Sequence, residues 1–447
     1  MAGRVWTRSL IRRYSMKRLL IALMMVATVA VAALAERTTL NFLYYIDATQ
    51  AGYAEDQAFW QKFKDANPDI DLQMEILFSQ PYHQKLGSYV AAGQLPDVAY
   101  MWPTSRDSSK LLHDNKLMAD LRKVLGPEFL GVFNAAALDP KQQSSGYVAE
   151  LPQSFTYTSV LYVNKKLLAD NGIALPQTYA DLKKMVLKLR AKNVQTLILP
   201  NFDQWPAQSC LFSTMVGRYL GDAWVDKVKA GKVKFTDKDF VNVLNQYKQL
   251  YDDGIINVTN VQLGYGEGPA MFASGRASMY VDGDWRVGAY VTDRSTGKAL
   301  IDPKAQEGDF EIVNFPAFPG EKFPGATSAI AGCGLGINKA LSGAKLAAAK
   351  KLVEWYYGKE FQTMKWETGA FVPSRGDVSS SKLEPLSMKL PKFYAANAKV
   401  CYVLDGQLDP SVFNVLNAGL QSIPLGAETS QQVAKKMQDA QDKLLKK

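Results

Sequence analysis

Four aromatic and five polar side chains stand where the chain turns out of apolar stretches, and together they could hold a flat, weakly polar ligand. Tyr45, Trp102, Trp205 and Trp285 offer ring faces, which stack on planar surfaces. Asp47, Gln80, Asp282, Asp284 and Arg375 offer carboxylate, amide and guanidinium groups, which bond neutral hydroxyls, the charged ones in bidentate pairs. His83 and His113 are the only histidines. A multi-histidine zinc site is therefore excluded, and a histidine-based triad would have to use one of these two. Gly332-Cys333-Gly334-Leu335-Gly336 lacks the spacing of a nucleotide loop, and no lysine-serine pair follows it. No catalytic set, metal or cofactor is expected.

The elements that must position these side chains are read from periodicity. Trp285 closes the stretch Phe272 to Trp285, in which Gly275 can end a helix in the left-handed conformation. Ala277 to Val281 follows as a short buried strand, with Ala277, Met279 and Val281 on one face. Asp282-Gly283-Asp284 then turns the chain, so Trp285 emerges just past the strand's carboxyl end, the edge where open α/β sheets bind ligands. One Trp after one turn also fits a core position. Upstream, strands over Thr39–Ile46, Ile70–Phe78 and Pro96–Trp102 alternate with helices over Glu55–Ala66 and Tyr82–Ala92, which indicates βαβ units and a parallel sheet. That sheet would set Tyr45, Asp47, Gln80 and Trp102 along one edge. Leu197–Leu199 reads as another strand, with Trp205 in the loop after it. Thr178 with Asp181 and Thr429 with Gln432 read as helix starts. A clean amphipathic helix is expected from Thr236 to Asp253, capped by Thr236 and Asp239 and stopped by Gly254.

The first residues carry Arg4, Arg8, Arg12, Arg13, Lys17 and Arg18, then an apolar run from Leu19 to Leu34 and an A-x-A site at Ala33-Leu34-Ala35. This order describes a secretory signal peptide over residues 1–35. No cysteine stands at the cut, so no lipid anchor is expected. Without the leader the formal charge falls from +9 to +3, with 46 basic residues against 43 acidic ones. The basic balance of the whole chain is therefore no evidence for a nucleic-acid partner. The remaining 412 residues suffice for two lobes with separate cores. Cys210, Cys333 and Cys401 allow at most one intramolecular disulfide.

Several stretches are similar, in the same order, to the carbohydrate-type extracellular solute-binding proteins of ABC importers, the maltodextrin-binding-protein-like family 1. They are Ala92-Gly93-Gln94-Leu95-Pro96-Asp97-Val98 entering the third strand, Gly146–Leu168 with Tyr162-Val163-Asn164-Lys165, Leu175–Tyr179, the Gly-Arg-Ala-strand-Gly-Asp-Trp pattern ending at Trp285, and Gly369–Arg375. Tyr179 stands where the family usually has Trp. The resemblance implies an α/β protein of two discontinuous lobes, each a central β-sheet flanked by helices, joined by a three-segment hinge (periplasmic binding protein-like, type II). It implies lobe 1 over 36–152 plus 310–340 and lobe 2 over 153–309 plus 341–447. Crossings are expected near Gln153–Phe155, Asn314–Pro316 and Ala340–Gly343. It also implies that Trp285 stacks on a sugar ring, and that a monomer in the periplasm captures a carbohydrate for permease subunits of an ABC transporter.

Rival readings come from other classes. A secreted glycoside hydrolase would also show aromatics and paired carboxylates, but no hydrolase signature is recognisable. Tyr44-Tyr45 hints at an iron-binding tyrosine pair, yet adjacent strand residues point to opposite faces. A polyamine or peptide remains an alternative ligand.

Overall fold

A computed structural model of the chain describes residues 37–48, 50, 52–102, 107–133, 146–331 and 333–446; the basic, apolar leader and its cut lie outside them. β1 (Thr38–Tyr45) buries Leu40, Phe42, Leu43 and Tyr44. It pairs in parallel with β2 (Ile70–Leu77) along its whole length and with β3 (Val98–Met101) on its other side. The helix between β1 and β2, Tyr53–Ala66, buries Phe59, Trp60 and Phe63 at helical spacing, each worth about 1.5–3 kcal/mol of burial. β4 (Glu150–Pro152) and β11 (Gly334–Ile337) complete a five-stranded sheet in the order β2-β1-β3-β11-β4, with β11 antiparallel to both neighbours.

The second sheet takes β6 (Val160–Asn164), β7 (Gln195–Ile198), β8 (Ala277–Asp282) and β9 (Phe310–Val313) in the order β7-β8-β6-β9. β7 and β8 run parallel, and β6 is antiparallel to β8 and β9. Every residue of β8 is buried, as befits a central strand covered on both faces. A third, small sheet of β5 (Phe155–Tyr157), β10 (Thr327–Ala331) and β12 (Val400–Cys401), ordered β12-β10-β5, lies on the chain's path between the two. Separate apolar cores surround the two large sheets. The fold is therefore the expected two-lobed, mixed α/β one. Among the described residues no helix is long and apolar enough to cross a membrane.

Several local expectations match. Gly93 and Gly275 take φ +66° and +74° after their helices. Thr178–Asp181 and Thr429–Gln432 form reciprocal capping boxes. One start is displaced. The helix expected from Thr236 begins at Lys238 with Asp237 as its flanking residue, and Asp237 turns its carboxylate back to the Lys234 N–H at 2.9 Å. Cys210, Cys333 and Cys401 are all free thiols.

The lobes divide the chain differently from the expectation. Helix Gly343–Tyr356, expected in lobe 2, packs Ala348, Ala349, Leu352 and Val353 into the first core, and Phe361 of helix Lys359–Glu367 joins them. Lys345 is tied to buried Asp97 at 3.1 Å, while the same carboxylate accepts the Asn41 N–H at 2.8 Å. β9, expected in lobe 1, pairs with β6 of the second sheet, and Phe315 and Phe318 lie in the second core. The chain therefore passes between lobes at Gln153–Ser154, between β10 and β11, and at Ala370–Arg375. The Gln153 N–H donates to the Cys333 carbonyl at 2.8 Å, and the Ser374 N–H to the Gln153 carbonyl at 2.9 Å. Three strands of chain are thus laced together at one level.

Candidate ligand-binding cleft

Parallel strands end where their side chains can no longer be covered by the sheet, and here both sheets end on one cleft. On the first lobe Tyr45 closes β1, Phe78 to Gln80 follow β2, and Trp102 follows β3. Their rings pack as a wall. Tyr45 lies 5.4 Å from Tyr100 in a stacked pair and 4.8 Å from Trp102 edge to face, and His83 lies 4.4 Å from Trp102. Ser79, at the start of its helix, holds a left-handed φ of +54°, a strain of the kind that gathers at functional sites.

On the second lobe Trp205, Tyr265 and Trp285 form the opposing cluster. Trp205 stands 4.6 Å from Tyr265 and 6.2 Å from Trp285 between ring centroids. Tyr265 is held from three sides: its N–H donates to Asp203 at 2.9 Å, its hydroxyl to Asp282 at 3.2 Å, and it receives the Trp285 indole N–H at 2.5 Å. The indole also folds back over Gly283, where an added Cβ would meet it at 2.2 Å. That contact explains why glycine stands between Asp282 and Asp284.

Polar groups fill the floor. Gln153, Ser154, Thr156 and Thr158 come from the first crossing, Ser209 and Asp405 from beneath the second lobe, and Ala370 and Phe371 from the third crossing. Asp284 lines the cleft almost fully buried. Its carboxylate accepts the Tyr157 N–H at 2.7 Å and the Tyr394 hydroxyl at 2.6 Å. Burial nonetheless pushes its pKa up to about 7, against those two hydrogen bonds. Ser209 donates to Asp405 at 3.0 Å. The cleft encloses about 1350 Å³ of space, open solvent included. Aromatic faces with amide, hydroxyl and carboxylate groups between them can stack a ring and bond its hydroxyls.

Of the residues singled out from the sequence, Tyr45, Asp47, Gln80, Trp102, Trp205, Asp284 and Trp285 line this cleft together. Asp282 and Arg375 do not. Asp282 is buried behind the wall, accepting from Tyr280 and Arg286 at 2.6 Å each, and so braces Arg286 under the Tyr265 ring at 4.3 Å. Arg375 points away, bonded to the Tyr357 carbonyl at 2.8 Å and to Asp377 at 2.8 and 2.9 Å. Its loop reaches the cleft through Ala370 and Phe371 instead. Tyr265, His83, Thr156, Thr158, Ser209 and Asp405 were not anticipated. Thr156 and Thr158 sit inside the marked stretch Gly146–Leu168, and Ala370 and Phe371 inside Gly369–Arg375, but neither stretch was marked for these side chains.

The chain matches the family model described as bacterial extracellular solute-binding protein over residues 47–363, more than half its length. A multiple sugar-binding protein of Streptococcus mutans is 24% identical over 265 residues, a match spanning 58% of this chain and 58% of that protein. Among solved structures, a chitin oligosaccharide binding protein is similar at 22% identity with a TM-score of 0.79, over 91% of this chain and 99% of that one. The MalE maltose/maltodextrin-binding domain of Bdellovibrio bacteriovorus, bound to maltotriose, is similar at 18% identity with a TM-score of 0.70, over 92% and 100%. These structural likenesses speak to the fold alone. With the family match and two lobes closing on one cleft, the chain is a member of the bacterial extracellular solute-binding protein family.

Proposed function

We propose that this chain is the substrate-capturing component of an ABC importer: it takes up a sugar, of oligosaccharide size, between its lobes and delivers it unaltered to permease subunits at the membrane. The observation that carries this reading is the aromatic wall on each lobe around one polar-floored cleft. The relatives' printed names, a multiple sugar-binding protein and a chitin oligosaccharide binding protein, point the same way. In this reading Tyr45, Trp102, Trp205 and Trp285 stack on ring faces, and Asp47, Gln80 and Asp284 bond hydroxyls. The chain is exported by its leader, cut after about Ala35, and works in the periplasm as a monomer.

Dye-shift melting against a panel of mono- and oligosaccharides tests the proposal. A ligand bound by the native state alone stabilises it by about 2.7 kcal/mol at a hundred times its dissociation constant. At least one oligosaccharide should raise the melting temperature in a concentration-dependent way. A panel that leaves it unmoved, while polyamines or peptides raise it, would replace the sugar reading.

A further inference from the structure

Taking the sugar reading as its basis, we propose that Lys365 is a further ligand-binding residue: its ammonium donates to a hydroxyl oxygen of the bound sugar, and Asp56 positions it. Lys365 lies in the last turn of helix Lys359–Glu367. It is only 5% exposed, yet it lines the cleft. Its Nζ pairs with the carboxylate of Asp56, which is fully buried and also accepts the Tyr44 hydroxyl at 2.7 Å. Tyr44 lines the cleft too. The ammonium stands 6.0 Å from its ring and 5.1 Å from that of Phe361. The charge is therefore held at the cleft wall of the first lobe.

Two helix ends hold it there. Asp56 is in the first turn of helix Tyr53–Ala66 and Lys365 in the last turn of its own, the ends at which the helix dipole favours an anion and a cation respectively. Gly52, at φ +85°, lets the two ends meet, since an added Cβ would stand 2.5 Å from that of Thr368. Yet the ion pair is short of hydrogen bonds. An ammonium has three N–H donors, and Asp56 is the one carboxylate it reaches among the described residues. Asp56 Oδ1 has no hydrogen-bond partner among them either. A buried ion pair contributes stability only where further hydrogen bonds satisfy its remaining protons and lone pairs. The scaffold therefore gains little from this one, whereas a hydroxyl entering the cleft gives the ammonium a charge-assisted bond.

Calorimetric titration tests this with the tightest-binding of maltotriose, cellotriose, xylotriose and chitotriose, and with the monodeoxy forms of that sugar. With the unaltered protein at least one deoxy form should bind about tenfold weaker or more, the scale of one hydrogen bond to a charged group. With Lys365→Met that form should bind weaker than the parent by about twofold or less, because the parent has lost the same bond. A merely structural Lys365 would weaken every form alike and leave the gap in place. Lys365→Met strands Asp56 without its partner, so Asp56→Asn/Lys365→Met, which removes both charges, serves where the single variant does not fold. The unaltered protein gives an independent reading: the side-chain ammonium resonance of Lys365 should shift when the parent sugar is added. Absence of any sensitive deoxy form, a gap that survives for all of them in a folded variant, or an unmoved resonance overturns the inference and leaves sugar capture standing. Binding of none of the four trisaccharides overturns both.

Discussion

At the scale of residues, Trp285 and Asp284 make different and separable demands. Trp285 is only half-buried and faces the cleft. Trp285→Ala should weaken sugar binding by about 1 to 3 kcal/mol, roughly 5- to 150-fold, from ring-face interaction and apolar area no longer covered. Apo stability should fall by only about 1 kcal/mol, mostly from the lost bond to Tyr265. Equilibrium unfolding and titration of the same variant separate the two effects. Gly283→Ala should weaken binding in the same direction by displacing the indole, since the Gly283 φ of −77° suits any residue and the obstacle is the ring itself.

Asp284 should govern a pH dependence. Its carboxyl rises from 3.8 to about 7 on burial, so the folded state binds this proton more tightly than the unfolded chain. The resulting stability is complete below the unfolded value and is lost as pH rises through 7. Between pH 5 and pH 8 the wild type should therefore lose about 2 to 3 kcal/mol more stability than Asp284→Asn. Parallel urea titrations at the two pH values measure this; equal losses in both proteins would assign the proton elsewhere.

At the scale of elements, the glycine-rich strand β11 shows how packing dictates sequence. A Cβ on Gly334 would stand 1.6 Å from the Leu151 carbonyl, and one on Gly336 would stand 2.8 Å from that of Ala149. Gly334→Ala should cost about 3 kcal/mol or more, because the obstacle is a neighbouring strand's backbone and not a movable side chain. Thermal unfolding would read this as a large drop in melting temperature.

Element type was legible wherever one periodicity dominated. β1 to β3, helix Tyr179–Arg190 and the stop at Gly275 lie within a few residues of the expectation. Placement in a lobe was less legible. An apolar stripe such as Leu352, Val353 and Tyr356 announces a buried face but not which of two cores receives it. The assignment to lobe 1 rests on contacts with β1 and on the Lys345–Asp97 pair, both far apart in sequence. Arg375 and Asp282 misled for a related reason: a charged residue beside a turn can serve the scaffold as readily as the ligand. Ser209, in contrast, gave no pattern at all, because a single hydroxyl reaches the cleft only through tertiary placement.

At the scale of the whole molecule, the three crossings at Gln153–Ser154, between β10 and β11, and at Ala370–Arg375 set the axis about which the lobes can move. Hinges absorb their rotation in a few loop positions, and these three are bonded to one another through Gln153. Small-angle scattering should show a smaller radius of gyration at saturating ligand than without it. An unchanged profile would count against closure.

Capture of an unaltered sugar between the lobes can be read in one experiment, isothermal titration calorimetry of the best-stabilising oligosaccharide. The heats should saturate at one ligand per chain and return to baseline after each injection. Sustained heat after every injection, the signature of turnover, or no saturable heat with any sugar, would contradict it.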